Sequence, residues 1–161
     1  MDLRVIKTKK SIEESLLELM STKSFESIKV SEICEKALIN RSTFYTYYQD
    51  KYDLLMNIIN EIKNNLNINN KIKDKNYYLE VISKILDHIE NKKNLYSKIL
   101  EHNQNSFIID ILYNVLDNNI NNTIETKFYL GGTISVCLYW INQKNNYTKE
   151  DIINYLNNLI N

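Results

Sequence analysis

The sequence contains no proline and only two glycines, which are adjacent at Gly131 and Gly132. Sandwiches and barrels use such turn residues freely, so they are poor candidates, and an all-α fold is expected. The same shortage excludes glycine-rich phosphate loops and dinucleotide-binding fingerprints. No stretch reaches the roughly 18 uncharged apolar residues of a membrane-spanning helix, so no membrane partner is expected.

Cysteine, histidine and net charge are also scarce. Cys34 and Cys137 lack the spacing of a metal or redox pair and are typical of buried thiols in a reducing compartment. His88 and His102 have no metal-spaced partner, so neither metal nor cofactor is predicted. No nucleophile, base and orienting group can be assembled, which argues against an enzyme. The start, residues 1–4, is not a signal peptide, and a cytoplasmic protein is expected.

Apolar residues recur at three- and four-residue steps, which predicts a series of helices. The predicted helices are 4–22, 30–37, 41–48, a long helix from 51, further helical stripes from Leu79 to Leu116, an apolar helix at 124–142 and a last helix opened by a Thr148–Asp151 capping box. Asn40 and Asp50 are predicted N-caps. We divide the chain into a three-helix helix-turn-helix domain (1–50, motif 29–48) and a helical bundle domain (51–161), linked by the fourth helix.

The helix after Asn40 has two distinct faces. Phe44 and Tyr48 are four residues apart and are predicted to face the core. Ser42, Thr43, Thr46 and Tyr47 then face outward. Short hydroxyl side chains let a helix enter the major groove, where they reach phosphates and base edges.

The 20 basic and 20 acidic residues balance, so contact with nucleic acid must come from a local patch. Two segments contain no acid. One runs from Leu3 to Ile12 and carries Arg4, Lys7, Lys9 and Lys10; the other runs from Lys36 to Gln49. For the first segment, a solvated terminus and a DNA contact are equally good interpretations.

Residues 8–66 resemble the DNA-binding domain of the TetR (tetracycline-repressor-type) family of bacterial regulators. The resemblance rests on FESIKVSEICEKA (25–37), INRSTFYTYY (39–48), Lys51 and Leu54-Leu55. It implies a helix-turn-helix, a ligand-responsive second domain, and a homodimer on a palindromic operator. It also implies a DNA-binding set in which Arg41, Ser42 and Thr46 read bases, with further contacts from Lys29, Thr43, Tyr45, Tyr47 and Lys51.

The chain departs from the family pattern at three positions. Leu38 replaces the usual turn glycine, which would cost about 1 kcal/mol if its backbone is left-handed. Lys29 replaces a hydroxyl cap, so a side-chain cap is forfeited. Tyr47 replaces a common histidine; it keeps a donor and an aromatic ring but cannot become cationic near neutral pH.

The second domain resembles the family more loosely, and its expectations are coarser. Residues 128–140 resemble the dimerising helix of some members. A pocket for a small-molecule effector is expected at Tyr78, Tyr96, Tyr113 and Tyr129, and a dimer interface at Ile134, Cys137, Leu138, Ile141 and Leu156. The predicted function is a repressor that a small apolar ligand releases from its operator. The alternative is a helical protein-interaction or small-molecule-binding module without DNA function.

Overall fold

The computed structural model describes residues 2–67, 74–102, 105–116, 123–142 and 147–159. Within these ranges every regular element is helical, which confirms the all-α prediction. The α-helices are α1 (Leu3–Met20), α2 (Val30–Lys36), α3 (Arg41–Tyr47), α4 (Lys51–Asn65), α5 (Lys75–Asn91), α6 (Lys93–Glu101), α7 (Asn105–Leu116), α8 (Ile124–Ile141) and α9 (Lys149–Leu159). A 3-10 turn, Phe25–Ser27, precedes α2.

The first three helices form the helix-turn-helix around a small apolar core. The buried side of α1 carries Ile12, Leu16 and Met20. Helices of seven residues, such as α2 and α3, are not stable alone, so their packing must hold them. Phe44 and Tyr48 are both buried, as predicted, and anchor α3 to this core.

The turn between α2 and α3 is closed by a residue in the left-handed region. Leu38 has φ 56° and is 92% exposed. The amide of Ile39 donates to the carbonyl of Cys34 at 3.0 Å, which completes the turn. The Leu38 side chain gains no packing in this position, so the cost of about 1 kcal/mol for a non-glycine residue has no local compensation in the protomer.

The helix caps follow the sequence prediction at three of four positions. Asp50 accepts hydrogen bonds from the amides of Tyr52 and Asp53, and Thr148 and Asp151 cap each other reciprocally. Asn40 occupies the N-cap of α3, but its side chain makes no capping bond, which corrects our expectation. At the start of α2, the backbone amide of Lys29 donates to Glu32 at 2.9 Å, because a lysine side chain has no acceptor for the usual cap.

The later helices pack into a bundle that continues the same core. In this bundle α4 packs against α7, α5 against α9, and α7 against α8. Helix α4 also packs against α1, so it contacts both predicted domains, and a boundary at residue 50 stays a prediction. Residues 68–73, between α4 and α5, lie outside the described residues.

Candidate nucleic-acid interface

The outer face of α3 presents most of the predicted DNA-binding residues. Arg41, Ser42, Tyr45 and Thr46 are exposed, and Thr43 and Tyr47 are half-buried at the edge of the core. None of the six is packed into the interior. Because Phe44 and Tyr48 hold the opposite side, the helix offers a row of small polar groups on a rigid support.

Thr46 has a defined hydrogen-bonding state on this face. Its Oγ1 donates to the backbone carbonyl of Ser42 at 3.0 Å. The hydroxyl proton is therefore occupied, and toward a duplex Thr46 offers an acceptor oxygen and a methyl group. These suit an exocyclic amino group of adenine or cytosine, or the methyl group of thymine.

A groove of about 490 Å³ runs between the starts of α2, α3 and α4. It brings together Lys29, Arg41, Tyr45 and Lys51, all predicted DNA-binding residues, beside the capping carboxylate of Asp50. Lys29 and Arg41 supply exposed positive charge at this groove. The fold thus brings together residues at the starts of three helices. The sequence alone predicted each of them as a DNA-binding residue but did not predict that they lie together.

The ammonium group of Lys51 has an internal function. Its Nζ donates to the carbonyls of Phe25 at 2.9 Å, Glu26 at 2.9 Å and Ile28 at 3.0 Å. It also lies 4.7 Å from the centre of the Phe25 ring. A lysine ammonium has three donors, and all three are used here. A phosphate contact by Lys51, as the family resemblance implies, would require one of these bonds to break.

Tyr52 strengthens the same connection between α4 and the 3-10 turn. Its hydroxyl donates to Glu26 at 2.9 Å, and its ring meets Phe25 edge-on at 5.2 Å. This hydrogen bond is the main reason that the pKa of Tyr52 is raised. The start of α4 therefore holds the segment that leads into α2.

Lys9 and Glu13 of α1 contact the end of α3, which the sequence analysis did not predict. Lys9 Nζ lies 5.7 Å from the centre of the Tyr47 ring and 5.9 Å from that of Tyr48. Glu13 accepts a hydrogen bond from the hydroxyl of Tyr48. Burial, and next the neighbouring carboxylate of Glu61, raise the pKa of Glu13 to about 7, although the bond from Tyr48 opposes this. The available signal was that Lys9 and Glu13 are four apart beside the buried stripe of α1.

The four tyrosines of the predicted ligand pocket are not brought together. Tyr78 and Tyr129 are in contact at 6.4 Å between ring centres, whereas Tyr113 is exposed. The hydroxyl oxygen of Tyr96 instead lies 2.7 Å from Nε2 of His88. The space beside this pair, between α4, α5, α6 and α7, measures about 10 Å³, which is about the volume that one water needs.

His88 is neutral in this apolar setting. Burial, with a smaller effect of Lys92, lowers its pKa to about 4. Its neutral ring therefore faces the hydroxyl of Tyr96 without bringing positive charge into the bundle.

In the part of the chain described, no cluster of metal-ligating side chains is present and no helix is long and apolar enough to cross a membrane.

The residues predicted for the dimer interface mostly belong to the core of the protomer. Ile134, Cys137, Ile141 and Leu156 are buried within one chain, and Leu138 is half-buried. Their burial leaves these residues little surface for a second copy, and the dimer interface stays a prediction. The exposed apolar residues lie elsewhere on the last two helices: Ile124, Phe128 and Tyr139 on α8, and Tyr155 and Leu159 on α9.

Two family models match the chain. Residues 14–58 match "Bacterial regulatory proteins, tetR family", and residues 76–161 match a TetR-type "Transcriptional regulator C-terminal region". Together with the helix-turn-helix, these matches define a DNA-binding transcriptional regulator and not an enzyme. The second match alone spans more than half of the 161 residues, and the chain belongs to the TetR family.

Two solved structures share the fold over nearly the whole chain. A TetR transcriptional regulator from Streptococcus agalactiae aligns over 98% of this chain and 95% of its own, with a TM-score of 0.63 and 21% identity. The dihydroxyacetone kinase operon activator DhaS aligns over 95% and 96%, with a TM-score of 0.58 and 24% identity.

Two curated proteins match over shorter segments. The uncharacterised HTH-type regulator YxbF of Bacillus subtilis is 34% identical over 55 residues, which are 34% of this chain and 14% of YxbF. The dhaKLM operon transcriptional activator DhaS of Lactococcus lactis is 40% identical over 48 residues, 30% of this chain and 26% of DhaS. The matched segments are thus a minor part of both relatives.

Proposed function

We propose that the chain represses transcription as a homodimer bound to a palindromic duplex operator. One observation carries this proposal: the exposed hydroxyl face of α3 is held outward by the buried rings of Phe44 and Tyr48. A helix with this face enters the major groove, and two copies place two such helices about one DNA turn apart, or a multiple of it. Genomic DNA as the partner also supports the predicted cytoplasmic location.

The contacts divide by the chemistry of the side chains. Arg41, Ser42 and Thr46 read base edges, because they are exposed on the outer side of α3. Lys29 and the hydroxyls of Thr43, Tyr45 and Tyr47 contact phosphates and fix the register. Lys51 acts indirectly, since its donors hold the segment that carries Lys29.

The exposed apolar side of α8 and α9 is the proposed contact between the two copies. Phe128 is 76% exposed, and a side chain added at Gly131 or Gly132, one turn further along α8, would meet nothing within 4 Å. A two-fold interface needs a patch that fits itself, and an aromatic ring beside a flat glycine pair meets this need. Tyr155 and Leu159 on α9 extend the patch.

Release by a small apolar ligand remains part of the proposal. The site would be the contact of α4, α5, α6 and α7 beside His88 and Tyr96, where a ligand must first enlarge the space. Such an opening would displace α4, and with it the segment that Lys51 holds. A compound that binds there should reduce operator affinity; a ligand that binds without changing operator affinity would contradict release.

Activation is the second candidate, because DhaS, which is 40% identical to this chain over 48 residues, is named an operon activator. Selection from a random duplex library, followed by a reporter assay with the recovered sequence, decides between them. A recovered palindrome and lower reporter output support repression, whereas higher output supports activation. No enrichment of any duplex would instead favour a helical protein-interaction or small-molecule-binding module.

A further inference from the structure

The amino end of α1 extends beyond the hydrophobic core. Ile12 is the first residue of α1 that is buried, whereas Leu3, Arg4, Ile6, Lys7 and Lys10 are exposed. Val5, Thr8, Lys9 and Ser11 are half-buried, so more than two turns of helix contain no fully buried residue. Most of the stability of a helix in a protein comes from a buried face, so this segment is held less firmly than the rest of α1 and relies on its N-cap, Asp2.

The charges on this segment are unfavourable for the helix itself. Arg4, Lys7, Lys9 and Lys10 lie in its first turns, and no acid occurs between Leu3 and Ile12. The amino end of a helix carries partial positive charge, so cations there destabilise it. A polyanion beside the segment would reverse this effect, because it would neutralise both the side chains and the helix end.

Two contacts place this segment beside the recognition helix. Ser11 Oγ donates to the carbonyl of Ala37, at the turn that leads into α3, at 3.2 Å. Lys9 lies over the ring of Tyr47, the last residue of α3. Helix α1 therefore contacts the end of α2 and the last residue of α3. Arg4 and Lys7 share a helix face with Ser11, because they precede it by seven and four residues.

The four cations differ in how far they are already engaged. Lys9 is held by the tyrosine rings, and Lys10 lies 3.8 Å from Glu14. Arg4 and Lys7 are exposed and form no ion pair with any described residue. These two side chains are available to an external anion.

We infer that Arg4 and Lys7 bind the phosphate backbone of the same duplex whose major groove receives α3. This inference rests on the proposed function and adds a second contact surface that no base-reading residue supplies. Phosphate contacts are independent of sequence, so the contribution is the same on an operator and on a random duplex.

The test is the salt dependence of duplex binding by the full chain carrying both Arg4→Gln and Lys7→Gln. The slope of log K against log salt is negative, and each lost phosphate contact makes it less steep by about 0.9. The slope should therefore become less steep by about 2, both on the operator and on a random duplex. The double variant Arg4→Lys with Lys7→Arg keeps both charges and should keep the wild-type slope. Lys84→Gln with Lys98→Gln removes two charges elsewhere, one of them paired with Glu80, and is the control for net charge.

The outcomes separate this inference from the proposed function. Absence of salt-dependent duplex binding by the wild type would contradict the proposed function itself. Wild-type binding with an unchanged slope in the Arg4 and Lys7 neutral variant would overturn only the inference. An equal decrease in the Lys84 and Lys98 control would also overturn it, because the effect would then be one of net charge.

Discussion

The hydroxyl of Tyr48 donates a 2.9 Å hydrogen bond to Oε1 of Glu13, which joins the end of α3 to the middle of α1. Tyr48 is buried, and its ring also contacts Phe44. The orientation of α3 thus depends on a polar contact as well as on the apolar core. This contact is sensitive to pH, because the carboxyl that accepts the bond is half-buried beside a second carboxylate, that of Glu61.

We expect the stability of the protein to fall as pH rises from about 4.5 to about 7. The pKa of Glu13 is raised to about 7 from 4.5, so the folded state holds this proton more tightly than the unfolded state. The resulting stabilisation is complete below the unfolded pKa and is lost as pH rises through the folded value. After allowance for solvent screening, the effect is about 1–2 kcal/mol.

Urea unfolding at pH 5 and pH 8 measures this effect. The free energy of unfolding of Glu13→Gln should depend less on pH across this range, and this variant should be more stable than the wild type at pH 8. Glu14→Gln, one residue along on an exposed position, is the control. A pH dependence that is the same in the wild type and in Glu13→Gln would contradict the assignment.

Replacement of Lys51 by Met should lower stability without changing the salt slope of DNA binding. The variant removes a donor from three backbone carbonyls, of which only that of Phe25 keeps another, the amide of Ile28, and a loss of about 2 kcal/mol is expected. Unfolding in urea gives the stability, and binding is measured at a temperature where circular dichroism shows that the variant is folded.

Lys29→Met provides the contrast, because Lys29 is exposed and its proposed partner is a phosphate. Lys29→Met should make the slope of log K against log salt less steep by about one, with little effect on stability. If Lys51→Met also lowers the slope by about one, the lysine contacts DNA directly, as the family resemblance implies.

Leu38→Gly should stabilise the protein by about 1 kcal/mol. Leu38 has φ 56° and almost no packing, so glycine relieves the backbone cost and loses no contact. Leu38→Ala keeps the Cβ atom and should give no such gain. Thermal unfolding of the three proteins checks this, and equal gains in both variants would mean that removal of an exposed apolar side chain, and not backbone strain, is the cause.

The chain should become monomeric when Gly132 is replaced by Leu. The site has open space in the protomer, so the substitution should not disturb the fold, and a better helix former should stabilise α8. Mass photometry across micromolar concentrations measures the association. Ser135→Ala, on the same helix, is the mild control. Dimers that persist in Gly132→Leu would place the interface away from this glycine pair.

The helix-turn-helix was predictable because its signals are local. Phe44 and Tyr48 lie four apart, which fixed the orientation of α3, and Asp50 is a strong cap for α4. The exposed face of α8 was not predictable, because this helix is apolar nearly all round and periodicity could not distinguish Cys137, which is buried, from Phe128, which is exposed.

The internal function of Lys51 depends on contacts that no sequence pattern encodes. Its partners are backbone carbonyls more than twenty residues away, and only the approach of α4 to the 3-10 turn brings them together. Glu13 and Tyr48 are similar, since their contact depends on how α1 crosses α3. Residue type predicted that these side chains are polar, but not which partner each one has.

Arg41 and Thr46 should determine sequence preference, because both are exposed on the outer face of α3. Arg41→Ala should weaken binding to the preferred duplex by about 1–3 kcal/mol more than it weakens binding to a duplex with a changed base pair. The reason is that a bidentate arginine contact to guanine is lost. Thr46→Ser keeps the acceptor oxygen but removes the methyl group, so it should relax preference only where thymine is read. Library selection with each variant gives the positions affected. Equal weakening on all duplexes would show that these residues contact only the backbone, and the recognition surface would then have to lie elsewhere on the groove beside α2 and α4.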